Sequence, residues 1–92
     1  MIVRVLGEGQ YELADDDVER IESLDATLSQ ALTTGDEDRF ARALEALVRE
    51  LRQRGRPLEP DQLVPSDLAI PPEGSTIAEV RSLLDEDTPG KA

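Results

Sequence analysis

The sequence predicts a single α+β domain: a β-hairpin, a two-helix hairpin, an extended strap and a short last helix. Three observations carry that expectation. Two short alternating runs flank Gly7-Glu8-Gly9, two apolar stripes of helical period meet at Gly35-Asp36, and five of the six prolines fall between Pro57 and Pro72. The 92 residues suffice for one modest core and no second domain. With Tyr11 and Phe40 the only aromatics, that core has to be built from Leu, Val, Ile and Ala.

The hairpin takes residues 2–6 and 10–13. Val3 and Val5 share one face with Tyr11 and Leu13, and Glu12 points away. An isolated hairpin is marginal in water, so this one has to lie on something apolar. Helix 1 is expected to start near Asp16 as N-cap, with Glu19 as capping-box partner and Asp15, Asp16 and Asp17 at the positive end of the dipole. Val18, Ile21, Leu24, Leu28, Ala31 and Leu32 fall within about 140° of arc, and Gly35 ends the helix. Asp36 restarts the pattern, with Glu37 and Asp38 in the first turn. Phe40, Ala43, Leu44, Leu47, Val48 and Leu51 form the second stripe, and Gly55 and Pro57 stop it. So short a link makes the two helices antiparallel.

Val64 and Ile70 precede prolines and are therefore biased toward extended backbone. Leu58, Leu63, Val64, Leu68 and Ile70 make the stretch too apolar for a free linker. The expectation is a strap over the core, with Leu68-Ala69-Ile70 as a candidate edge strand beside the hairpin. Ser75 or Thr76 caps a final helix whose apolar side holds Ile77, Val80, Leu83 and Leu84. The domain is expected to span residues 1–84, with 85–92 as a flexible acidic tail.

Composition removes much chemistry. The chain has no His, Cys or Trp, so the usual zinc and iron–sulfur ligands, a Cys nucleophile and a neutral-pH imidazole base are all missing. A formal charge of −11 disfavours nucleic acid and anionic lipid as direct partners. The N-terminus lacks a signal-peptide layout and no apolar run reaches membrane-span length, which reads as cytoplasmic. Gly7-Glu8-Gly9 lacks the third glycine and the following helix of a dinucleotide-binding turn, so a hairpin turn explains it better. The acidic runs 15–17, 36–38 and 85–87 lack calcium-loop spacing, and two of them sit where helix N-termini favour negative charge. No spacing singles out a catalytic pair among the 21 acids. The expectation is no enzyme, no catalytic residue, no cofactor and no metal.

One segment stands apart. Residues 36–56 carry a net +1 on an otherwise acidic chain. Projected on a helix, Arg42, Arg49, Arg52 and Arg56 lie within about 80°, opposite Phe40, Leu44, Leu47 and Leu51. Such a stripe is either a solvated face laced by the i,i+4 pairs Asp38–Arg42, Glu45–Arg49 and Glu50–Arg54, or a surface that docks an acidic partner helix. These four arginines are the candidate partner-binding residues.

Several blocks together resemble the PspA-associated protein family, PspAA. They are Met1-Ile2-Val3-Arg4-Val5-Leu6-Gly7-Glu8-Gly9-Gln10-Tyr11, the helix pair broken at Thr34-Gly35-Asp36, and Leu63-Val64-Pro65-Ser66-Asp67-Leu68-Ala69-Ile70-Pro71-Pro72. The Ser75–Leu84 helix with Glu79-Val80-Arg81 continues the likeness. The resemblance implies an accessory or adaptor module of the phage shock, envelope-stress response. Its implied partner is a PspA-like helical scaffold of the ESCRT-III type, with any membrane contact made through that partner at the inner face of the cell membrane. It brings no catalytic residues. Composition alone leaves open a small acidic regulator, antitoxin-like or transcriptional, that sequesters a basic protein.

Overall fold

The computed structural model describes residues 1–62 and 64–86, with side chains through Ser82. The expectations for Leu63, for the side chains of Leu83 and Leu84 and for residues 87–92 of the tail lie outside the described residues. The fold is α+β. A four-stranded sheet of order β3-β2-β1-β4 is built from β1 (Ile2–Val5), β2 (Gly9–Glu12), β3 (Arg56–Pro57) and β4 (Leu68–Ile70). One face packs on the hairpin of α1 (Asp15–Thr34) and α2 (Glu37–Arg54), and α3 (Ile77–Glu86) follows the strap.

β1 and β2 pair antiparallel with Val3 opposite Tyr11 and Val5 opposite Gly9, so both valines face the helices, 0% and 1% exposed. The turn is Leu6-Gly7-Glu8, closed by the Glu8 N–H donating to the Val5 carbonyl at 2.9 Å. Gly7 and Gly9 hold φ of 81° and 142°, which is why glycine brackets the turn. The pairing reaches past the strands: the Leu13 N–H donates to the Met1 carbonyl at 2.8 Å and keeps Leu13 in the core.

Helix 1 starts earlier than expected because of that bond. Once Leu13 is tied to the ladder, the chain leaves the sheet at Ala14, whose extended backbone (φ −70°, ψ 155°) makes it the N-cap. It has no side-chain cap, so Asp16 is a first-turn residue and Glu19 has no capping-box role. Asp15, Asp16 and Asp17 act on the helix dipole instead. Gly35 ends α1 at φ 78°, and the N–H groups of Gly35 and Asp36 both donate to the Ala31 carbonyl, at 2.9 and 3.1 Å. Asp36 then caps α2 by accepting the Arg39 N–H at 3.1 Å. All six residues of the second stripe, from Phe40 to Leu51, are buried.

The end of α2 differs from expectation at Arg56. Gly55 is extended (φ −83°, ψ 151°), and Arg56-Pro57 pair with β2 as a fourth strand. Close approach sets the choice of glycine here. A Cβ at position 55 would stand 2.6 Å from the Leu51 carbonyl oxygen and 3.0 Å from Tyr11 Cβ. The strap then returns across the outer sheet face, and β4 joins the edge parallel to β1 with Val5 opposite Ile70. Thr76 supplies the α3 cap, its Oγ1 accepting the Glu79 N–H at 3.1 Å while the Glu79 carboxylate accepts the Thr76 N–H at 3.2 Å. The helix runs through Glu86, two residues into the segment expected to begin the tail.

Candidate protein-interaction surface

The four candidate arginines do not form one free stripe. Arg52 is committed within the fold. Its Nη2 and Nε donate to the two Glu8 carboxylate oxygens at 2.7 and 3.1 Å, and its Nη1 donates to Glu73 at 3.0 Å. Tyr11 donates its hydroxyl to the same Glu8. One planar guanidinium thus ties α2 to the hairpin turn and to the turn after β4, a geometry the five fixed donors of arginine suit. The hydrogen bond from Arg52, then that from Tyr11, holds the Glu8 carboxyl below its ordinary range, while Glu8 pushes the Tyr11 phenol up. Arg56 sits off the helix on β3, paired with Glu12 opposite it.

Arg49 and Arg42 are placed otherwise. Among the described residues Arg49 makes only the i,i+4 pair with Glu45 at 2.7 Å, and its side chain remains 60% exposed. The expected Asp38–Arg42 bond is not made. Among the described residues Arg42 has no hydrogen bond or ion pair, and it lines a shallow groove with Thr27, Asp38, Arg39 and Ala43 between the two helices. Exposed pairs such as Glu45–Arg49 are worth only about 0.2–1 kcal/mol, so a partner could replace this one at little cost. Of the four candidates, Arg42 and Arg49 are therefore the two not tied to another element, and Arg39, exposed beside Arg42 and bonded to Gln30 at 3.2 Å, adds a third basic group to that face.

A second cluster stitches the helices together. Glu50, with its side chain 13% exposed, receives Arg54 at 2.7 Å and Arg20 of α1 at 3.1 Å, and Arg54 also reaches Asp17 at 3.4 Å. Burial alone would raise the Glu50 carboxyl, but the two guanidinium groups outweigh it and hold it low. The expected Glu50–Arg54 pair is thus one edge of an interhelical network.

Two polar residues that spacing did not single out also matter. Gln10 is 9% exposed on the outer sheet face, where its Nε2 donates to the Val64 carbonyl at 2.9 Å and to Ser66 Oγ at 2.7 Å, pinning the strap. Asp25 is half-buried on the flank of α1, and burial raises its carboxyl above the ordinary range. It makes no hydrogen bond or ion pair among the described residues. Beside it runs a groove of about 320 Å³ lined by Leu28, Leu32, Phe40, Leu68, Pro71 and Val80.

Among the described residues, no group of three or more acidic side chains stands where it could hold a metal ion, and no helix is long and apolar enough to cross a membrane. Neither the curated proteins nor the solved structures include a significant match to this chain. A family model does match: the one described as PspA-associated protein, PspAA, aligns with residues 1–91, covering the hairpin, both long helices, the strap and α3. The chain belongs to the PspA-associated protein family, PspAA.

Proposed function

We propose that this chain is a non-enzymatic adaptor that binds a PspA-like helical scaffold of the ESCRT-III type and modulates its envelope-stress response. It acts in the cytoplasm and reaches the inner face of the cell membrane only through that partner. The observation that carries the reading is the family match over nearly the whole chain. Composition supports it: without His or Cys and with a charge of −11, the molecule is poorly equipped for catalysis or for direct binding to anionic lipid. Arg42 and Arg49 are proposed as the contacts on α2, each able to grip a carboxylate of an acidic partner helix. Arg52 and Arg56 instead make ion pairs between elements at the surface, with Glu8, Glu73 and Glu12.

The test uses purified components. Affinity-tagged chain is mixed with a PspA-like scaffold from the same genome, and complex formation is followed across a salt series. Stable co-purification that the Arg42→Glu, Arg49→Glu double variant weakens, with helicity unchanged, supports the reading. Complete failure of the wild type, together with recovery of a DNA-binding protein or ribonuclease from native lysate, favours the acidic regulator.

A further inference from the structure

The groove beside Asp25 is lined mostly by apolar side chains and has one charged group, Asp25, in its lining. Its floor is Phe40, 1% exposed, and its walls come from three separate elements: Leu28 and Leu32 of α1, Leu68 of β4 with Pro71 after it, and Val80 of α3. At about 320 Å³ it lies at the small end of ligand pockets, with room for one or two aliphatic side chains. Ala26, Ser29 and Thr33 are exposed along the neighbouring face of α1 and keep that wall low enough for another helix to approach closely.

Charge selects the occupant. The Asp25 carboxylate stands on the rim without a partner among the described residues. Glu22, one turn earlier on α1, is exposed and adds the same sign. At the far end Arg81 of α3 donates one N–H to the Leu32 carbonyl, at 2.8 Å, and keeps its positive charge there. Glu37 is turned to the Ile77 N–H, at 3.3 Å. The result is an apolar slot whose Asp25 end is negative, on a molecule whose net charge of −11 repels anionic lipid.

We propose that this groove seats an amphipathic helix of a partner protein, its aliphatic side chains entering beside Leu28, Leu32 and Val80 and a lysine or arginine at the edge of its apolar face pairing with Asp25. The inference rests on the adaptor reading and adds a second contact, of opposite charge preference, to the Arg42–Arg49 face. Docking in the slot supplies the basic partner that Asp25 lacks, and exclusion of water strengthens the pair.

Photo-crosslinking tests this. The 92-residue chain carrying benzoylphenylalanine at Ser29 or at Arg49 is mixed with a PspA-like scaffold, and affinity is measured for Asp25→Lys and, as a control of equal charge change outside the groove, Glu19→Lys. The expected result is a Ser29 crosslink to a scaffold segment with Lys or Arg beside aliphatic residues. Asp25→Lys should weaken binding at least about tenfold and Glu19→Lys less than about threefold. Unchanged affinity in Asp25→Lys, with crosslinks from position 49 alone, overturns the groove while the adaptor stands. Crosslinks from position 29 only within one chain or between two copies overturn it as well. Absence of any wild-type complex defeats both.

Discussion

Removing the Gln10 side chain tests how the strap is held. In Gln10→Ala, two hydrogen bonds disappear, to the Val64 carbonyl and to Ser66 Oγ. Each is worth about 0.5–1.5 kcal/mol net. Val64 and Ser66 are exposed and can turn to water, so no buried orphan is left behind and the cost stays near the bond values. The sum is about 1–3 kcal/mol, or roughly a 4–24 °C fall in Tm for a domain of this size. The strap is not released outright, because the Leu58 N–H still donates to the Gln10 carbonyl at 2.9 Å and the Asp67 N–H to the Ile2 carbonyl at 2.8 Å. Thermal melts followed by circular dichroism measure the total loss. Amide hydrogen exchange locates it, with faster exchange expected at Leu58 and Asp67 and little change in α2. Gln10→Leu keeps the bulk and removes the bonds, so it should lose nearly as much as Gln10→Ala. A Tm within about 2 °C of wild type in both variants would refute the pinning role.

Arg52→Ala should lower Tm near neutral pH, because Glu8 and Glu73 lose their common partner. Glu8 titrates below its ordinary range in the folded state, so the stability it lends is present above the unfolded carboxylate range and is lost as pH falls through its folded value. The gap between variant and wild type should therefore narrow in melts at acidic pH, and a constant gap would contradict the ion cluster. Asp25 has the opposite sign. Burial raises its carboxyl, so its favourable contribution exists below the unfolded range and is lost as pH rises through the folded value. Asp25→Asn should raise Tm near neutral pH, with the gain vanishing toward low pH, and a loss of Tm at neutral pH would show a partner for Asp25 in the fold. Gly55→Ala places a Cβ 2.6 Å from the Leu51 carbonyl oxygen and should cost about 1–3 kcal/mol in urea unfolding. A neutral effect would mean that the junction of α2 and β3 yields easily.

Much of the fold is legible because it rests on local pattern. The stripe from Phe40 to Leu51 recurs at helical spacing and every member is buried. Gly35 and Asp36 announce a helix end and a helix start, and both perform those roles. Leu68-Ala69-Ile70 forms the expected edge strand. The departures arise where a distant segment decides. Ala14 became the α1 cap because Leu13 is bonded to Met1. The strand Arg56–Pro57 has only two residues and no apolar alternation, and it exists because β2 lies beside it.

The candidate surface was legible only as a set of residue types. Helical projection found the arginines, but Glu8 is 44 residues from Arg52 and Glu73 is 21 residues away. No spacing rule reaches that far, so the difference between Arg49, turned to solvent, and Arg52, locked in the fold, is a tertiary fact. Gln10 shows the same limit. It reads as an outward residue of a hairpin, and only the returning strap makes it buried. Asp25 could have been found at the margin of the α1 stripe, where its neighbours Leu24, Leu28 and Leu32 turn to the core.

The central claim is that this chain meets its PspA-like scaffold directly. Titration calorimetry between the two purified proteins at about 0.15 M salt tests it most simply. An adaptor gives saturable binding with a Kd at or below roughly the micromolar level, weakened by the Arg42→Glu, Arg49→Glu double variant. No heat of binding across salt from about 0.05 to 0.5 M, with both proteins folded, would contradict it.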